Sequence, residues 1–222
     1  MKTICIDTET TGLPKKRNGS VTDEENWPYA VQVSWMILNG EKIEKTRDYI
    51  IKIAGSIPPE STEIHGITNE IMNKKGVSII TVLKELYEDC KEIQIMVAHN
   101  LNFDKNIILV ELYRNKFFKE YNFFRYSKFI EVCTMKAGKD ICKIEKIDRF
   151  GKMYYKWPTL CELYQNLFHS TPENLHNSLV DMCTCLRCFY KLRFDDDILE
   201  NNTHFKELFT KSTSHTPVQV LS

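Results

Sequence analysis

The run from Ile93 to Ala98 constrains this chain more than any other segment: Ile, Gln, Ile, Met, Val and Ala in succession. So apolar a run reads as a strand central to a sheet. Before it, Val77, Ile80, Leu83 and Tyr87 recur at helical spacing between Val77 and Cys90. After it, Phe103 to Phe118 again reads as helix. Toward the N-terminus the pattern changes. Lys2 to Ile6 is a short β-rich run ending at Asp7, with loop chemistry in Thr10-Thr11-Gly12-Leu13-Pro14. Ala30 to Leu38 reads as a buried strand, Asn39-Gly40 as a two-residue turn, and Lys42 to Ile53 as the return strand. Pro58-Pro59 breaks the pattern, and Ser61 or Thr62 can cap a short helix. Further on come a strand from Lys128 to Cys133 and helices from Leu160 to Phe168 and from His176 to Leu192. A hairpin followed by strands alternating with helices predicts one α/β domain with a mixed sheet.

The chain has 222 residues, room for one substantial domain. Residues 1–200 read as that domain and 201–222 as a polar tail, with a short helix around Phe205 to Phe209 and a mobile last dozen residues. Lys136 to Lys156 loses periodicity and reads as an irregular excursion. Apolar residues make up 42% and charged residues 27%, a globular balance. Asp7 and Glu9 interrupt any signal-peptide core. The longest uncharged stretch, Asn26 to Gly40, is too short for a membrane helix of about 20 residues. With no export signal, the eight cysteines read as reduced thiols. A soluble intracellular protein, cytoplasmic or nuclear and without a membrane partner, is the expectation.

Three segments carry the chemistry, each at the end of an element. Asp7-Thr8-Glu9 places two carboxylates at i and i+2 as a strand finishes, so both face the same way. Like charges held together call for neutralising cations, and hard oxygen ligands suit Mg²⁺ or Mn²⁺. His99-Asn100-Leu101-Asn102-Phe103-Asp104 follows the apolar strand, at the carboxyl end where α/β sheets place ligands. His176-Asn177-Ser178-Leu179-Val180-Asp181 opens the long helix, and His176 must lie at or before its start for both to reach one centre. Each segment also has an ordinary reading. The first can be a pair of solvated acids, Asp104 a carboxylate complementing a helix dipole, His99 a satisfied buried histidine and His176 a surface residue.

Taken together, the segments resemble the DEDD 3′–5′ exonucleases, specifically the histidine-containing (DEDDh) branch, of the kind found as proofreading subunits. That family's Asp-x-Glu-Thr-Thr-Gly motif matches Asp7 to Gly12, its His-Asn-x-x-Phe-Asp motif matches His99 to Asp104, and its His-x-x-x-x-Asp motif matches His176 to Asp181. Ile64-His65-Gly66-Ile67-Thr68 and Trp157 to Tyr164 also look like family segments. The likeness runs from about Lys2 to about Leu192. Two features depart from it. Ser178 stands where the third motif often has Ala, and Lys136 to Lys156 matches no family pattern.

The resemblance implies an RNase H-like fold, with an antiparallel hairpin plus parallel strands flanked by helices. It implies a metal-dependent exonuclease that releases nucleoside 5′-monophosphates from single-stranded DNA or RNA 3′ ends by a two-metal mechanism. Asp7, Glu9 and Asp181 would hold the cation that binds the attacking water, with Asp7 bridging to a second cation supported by Asp104. His176 would be the general base, histidine being the residue type suited to proton removal near neutrality. Thr10, Thr11 and Leu13 would line the 3′-terminal nucleotide. Ile64, His65 and Phe103 would pack its sugar and base, while His99 and Asn100 shape the pocket. Ile64 and Phe103 serve equally well as core packing. A polymerase or repair partner is a further expectation. Two other functions remain open at this point: a catalytically silent nucleic-acid-binding module that keeps the fold, and a diesterase acting on short oligonucleotides.

Two other signals have weaker readings. Cys183, Cys185 and Cys188 suggest zinc, but on a continuous helix Cys183 and Cys185 point about 200° apart, so they read as core thiols. Tyr154, Tyr155 and Trp157 lie among lysines and suit either single strands or packing against the following helix. The formal net charge is zero, yet residues 105–156 carry thirteen Lys or Arg against six Asp or Glu. That surplus of seven can guide a phosphate backbone or be a scattered solvated surface.

Overall fold

The computed structural model describes residues 1–213. Strands β1 (Lys2–Thr10), β2 (Ala30–Asn39), β3 (Lys42–Ile50), β4 (Ile95–Ala98) and β5 (Ile130–Cys133) form a mixed sheet in the order β3-β2-β1-β4-β5. The first three pair antiparallel, and β4 and β5 add in parallel. Helices α1 (Pro59–His65), α2 (Asn69–Lys75) and α3 (Ile79–Cys90) lie between β3 and β4. Helices α4 (Leu101–Arg114) and α5 (Phe118–Tyr126) lie between β4 and β5. After β5 come α6 (Thr134–Cys142) and a separate hairpin of β6 (Glu145–Ile147) and β7 (Met153–Tyr155). The described chain ends with α7 (Leu160–Phe168), α8 (Ser178–Phe194), α9 (Ile198–Asn201) and α10 (Thr203–Thr213).

Side chains alternate across each strand, and this divides the core into two layers. Ile4, Ile6, Val33, Trp35 and Ile37 pack with Leu83 and Leu86 of α3 and Ile107 and Val110 of α4. Cys5, Met36, Leu38 and Val97 face the other way, against Leu163 of α7, Met182, Cys183, Cys185 and Leu186 of α8, and Phe205 of α10. The cysteines of α8 are therefore core thiols, and all eight cysteines are free. Helix α10 falls in the stretch read as tail, yet it buries Phe205 completely. Full burial of such a side chain contributes about 1.5–3 kcal/mol. Most of the expected mobile end, residues 214–222, lies outside the described residues. No helix among the described residues is long and apolar enough to cross a membrane.

The elements differ from expectation in six places. β1 continues past Ile6 to Thr10, because Glu9 and Thr10 still pair with Gln32 and Ala30. The hairpin turn is Gly40-Glu41 rather than Asn39-Gly40. Asn39 is held in the sheet between Lys2 and Lys42, and Gly40 takes the positive φ of 61°. Ser61 and Thr62 lie inside α1, whose N-cap is Pro58, while Thr68 caps α2. In α3 the N-cap is Ser78, and Val77 pairs with Ile51 at the sheet edge. Val82, Leu83, Leu86 and Cys90 therefore form the buried face, and Ile80 is exposed. Finally, residues 136–156 are ordered as the end of α6 and the hairpin, and the helix expected over Phe103–Phe118 runs instead from Leu101 to Arg114, with α5 a separate helix starting at Phe118.

Candidate active site

The parallel pairing of β1 with β4 covers only Thr3 to Cys5, so Asp7 and Glu9 project beyond their neighbour at the carboxyl edge of the sheet. Both are on the face that packs against α8. Thr8 points the opposite way, toward α4. There its amide and hydroxyl donate to Asp104 Oδ1 at 3.0 and 2.9 Å. Asp104 stands in the first turn of α4 and is buried. Asn100 makes the tight turn from β4 into that helix, with φ 69° and ψ 45°, a left-handed conformation that Asn tolerates.

Helix α8 delivers the fourth acid. Its N-cap Asn177 accepts from the amides of Leu179 and Val180 at 3.1 and 3.4 Å, and Asp181 lies in the first turn. His176 precedes the cap at φ 72°. Its main-chain N–H donates to Asp181 Oδ1 and Oδ2 at 3.2 and 3.3 Å, and its side chain is exposed. Ser178 joins helix to sheet: its hydroxyl donates to the Asp7 carbonyl at 2.8 Å and its amide to Gln32 Oε1 at 3.2 Å. Gln32 and Ser34 in turn donate to the half-buried Asp48 carboxylate at 2.7 and 2.8 Å.

These elements bring carboxylate oxygens of Asp7, Glu9 and Asp181 within 4.8 Å of one another. An all-oxygen, triply acidic set of this kind fits a hard divalent cation. Asp104 belongs to the same electrostatic unit, although its side chain is tied to Thr8. Burial, then the charges of Asp104, Asp181 and Glu9, drive Asp7 well above the usual carboxylate range. Burial, then Asp181 and Asp104, pushes Glu9 up to about 8. Burial raises Asp104 and Asp181 to about 7 each, against the Thr8 donors and the His176 amide respectively. Four acids that resist ionising together are poised to take up positive charge.

The remaining predicted residues surround this centre. His65, buried at the end of α1, accepts the Ile67 amide at Nδ1 at 3.1 Å and lies against the Thr10 backbone. Thr10 donates its hydroxyl to the Gly12 carbonyl at 2.6 Å, and Thr11 accepts the Tyr29 amide at 3.0 Å. Both hydroxyls thus shape the loop that holds out Leu13, which is 82% exposed. Ile64 is exposed as well, while Phe103 is partly buried against the α4 side of the core. A cavity of about 780 Å³ opens beside His176, lined by Gln32, Asp48, Ile64, His65 and Asn177 among others; the four motif carboxylates do not line it. His99 turns inward. Its Nε2 donates to the Pro158 carbonyl at 3.2 Å, which leaves Nδ1 to accept from Thr134 at 3.0 Å. Burial lowers its pKa to about 4, so it is a neutral strut.

Thr8, Gln32, Asp48 and Ser178 join the site without being among the residues expected from the sequence. One signal was present: Gln32 and Ser34 are polar at i and i+2 in an otherwise apolar strand, which puts both on one face toward a polar partner.

The sequence profile of the exonuclease (RNase T) family matches residues 4–189. Among solved structures, E. coli exonuclease I bound to a dT13 oligonucleotide is similar, with 16% identity over 93% of this chain and a TM-score of 0.63. Exonuclease I from Methylocaldum szegediense is similar too, with 16% identity over 90% and a TM-score of 0.61. A zinc-bound E. coli exonuclease I–single-stranded DNA complex gives 14% over 96% and 0.61. The chain spans less than half of those proteins, 45%, 42% and 43% of their lengths respectively. Among curated proteins no match was found. The likeness shows that the mixed sheet and its two helical layers form an RNase H-like exonuclease fold.

Proposed function

Because the chain belongs to the exonuclease family, we propose that it is a metal-dependent 3′–5′ exonuclease of the histidine-containing DEDD type. Its substrate would be the 3′ end of single-stranded nucleic acid, and its product nucleoside 5′-monophosphates. One observation carries the reading. The carboxylates of Asp7, Glu9 and Asp181 converge within 4.8 Å, with His176 one residue ahead of the helix cap that presents Asp181.

Asp7, Glu9 and Asp181 would hold one Mg²⁺ or Mn²⁺, and Asp7 with Asp104 a second. Such cations neutralise the phosphate, lower the pKa of a bound water and stabilise the leaving oxygen. His176 would accept the proton of the attacking water. Its exposed imidazole can pass that proton to solvent, while its N–H bonds to Asp181 keep the backbone in place. Thr10, Thr11 and Leu13 would border the terminal nucleotide from one side, and Ile64, His65, Asn100 and Phe103 from the other. Aromatic and aliphatic surfaces of this kind tolerate any base. The dT13 bound to E. coli exonuclease I makes single-stranded DNA the first substrate to try.

The test is digestion of 5′-labelled single-stranded DNA and RNA with Mg²⁺ or Mn²⁺, beside strands blocked at the 3′ end. A ladder shortening from the 3′ end, absent from the blocked strand and absent in EDTA, is the expected result. Equal cutting of blocked and open strands would identify an endonuclease instead.

A further inference from the structure

The hairpin of β6 and β7 has no part in the proposed catalysis. Its strands pair only with each other, in a sheet separate from the main one. An isolated two-stranded hairpin is marginal in water, yet this one presents Ile147 and Phe150 at 73% and 79% exposure. Met153, Tyr154 and Trp157 are about half exposed. Interleaved with them are Lys143, Lys146, Arg149 and Lys152, all exposed. Lys146 and Tyr154 are cross-strand partners and so share a face. The Arg149 guanidinium lies 4.7 Å over the Phe150 ring. Local acids offset only part of the charge, since residues 143–156 carry five Lys or Arg against Glu145 and Asp148, and Asp148 Oδ1 is turned into its own loop, where it accepts the Phe150 and Lys152 amides at 2.8 and 2.9 Å.

The root of the hairpin is fixed at the catalytic edge. The Lys156 amide donates to the Ile144 carbonyl at 2.9 Å, closing the base. Two residues on, the Pro158 carbonyl accepts from His99, the residue that directly follows β4. The arm therefore springs from the same sheet edge that carries Asp7 and Glu9. Cations mixed with aromatic rings on one surface match a polyanion with stackable bases. An apolar face set apart from its cations would suit a lipid surface better.

We infer that this arm is a track for single-stranded nucleic acid, holding the strand 5′ of the nucleotides engaged at the carboxylates. Phe150 and Trp157 stack on bases, and Lys143, Lys146, Arg149 and Lys152 meet phosphates. The identity of the strand as substrate rests on the exonuclease reading.

The experiment compares the full chain with a Lys146→Gln/Arg149→Gln/Lys152→Gln variant and with Phe150→Ala. Fluorescence anisotropy of labelled dT20 in EDTA, over a range of KCl, reads binding without turnover. Hydrolysis of thymidine 5′-monophosphate p-nitrophenyl ester with Mn²⁺ reads the catalytic centre alone. The triple variant is expected to bind at least about tenfold more weakly, with a salt slope shallower by about two. Phe150→Ala is expected to lose about fivefold or more, and ester turnover to stay at the wild-type rate in both. Equal binding by all three proteins, or no binding of dT20 by the wild type, overturns the proposal. So does a loss confined to phosphatidylserine vesicles, which would make the arm a membrane face. A wild type that fails on the ester counts against the exonuclease reading, while the arm is judged by anisotropy.

Discussion

The Ser178 hydroxyl donates to the main-chain carbonyl of Asp7 at 2.8 Å, fastening the helix that carries Asp181 to the strand residue that carries the first acid. Ser178 is fully buried, so the bond is costly to lose. Ser178→Ala is expected to lower unfolding free energy by about 1 kcal/mol. It should also reduce kcat more than it raises KM, because the acids and not the nucleotide pocket are displaced. Urea denaturation with steady-state kinetics checks this; an unchanged kcat would leave the bond a purely structural tie.

His176 is expected to act through its ring, which His176→Asn tests cleanly. Asn accepts the left-handed backbone at φ 72° but cannot take up a proton near neutrality. The variant is expected to lose about 10²–10⁴-fold in kcat with its melting midpoint close to wild type. Substantial residual turnover would remove His176 from the role of base.

The crowded acids make a prediction about stability in EDTA. Glu9 at about 8, with Asp104 and Asp181 at about 7, hold protons more tightly folded than unfolded. Their contribution is full below their unfolded values and fades as pH rises through the folded ones. Neutral His99, lowered from 6.5 to about 4, works in the opposite sense below its unfolded value. The window to read is therefore pH 6.5 to 8.5. There the melting midpoint should fall with pH, and Mg²⁺ should restore more at the alkaline end. Asp7→Asn removes one of the mutually repelling charges. It should raise the metal-free midpoint at pH 8 while abolishing hydrolysis at any Mg²⁺ or Mn²⁺ concentration. Rescue by excess metal would show Asp7 to be a weak ligand.

A fourth expectation concerns the segment before β2. Glu111 and Arg114 form a buried pair at 2.9 Å, with side chains 4% and 8% exposed. Arg114 also donates to the Pro28 and Glu24 carbonyls at 2.8 and 2.6 Å and stacks on Tyr29. Arg114→Met strands the Glu111 carboxylate and should cost about 3–5 kcal/mol. Glu111→Leu combined with it should recover much of that loss in urea denaturation. If the double variant is no more stable than the single, the unpaired charge is not the cause.

The motif residues were legible in sequence because they sit where elements end, and strand ends and helix first turns announce themselves locally. The apolar run into His99, and the placing of His176 at or before the start of the helix that carries Asp181, are of this kind. Bonds between distant segments were not legible. Thr8 to Asp104 spans 96 positions and Ser178 to Asp7 spans 171, and no periodicity encodes such pairings. The phase of α3 was misread for a related reason. Val77 fits the helical period, but the sheet edge captures it through Ile51 and Ile50. The hairpin at 145–155 was hidden because its apolar residues are exposed, so burial imposes no alternation on them.

Asn100 and His176 both enter their helices at positive φ, and this restricts which replacements evolution can make there. Val, Ile or Thr would strain the turn, whereas Gly and Asn fit it. A lineage that abandoned catalysis while keeping this architecture would find Gly or Asn at position 176 the least disruptive replacement. Such a substitution is the mark by which a silenced descendant could be picked out from its sequence.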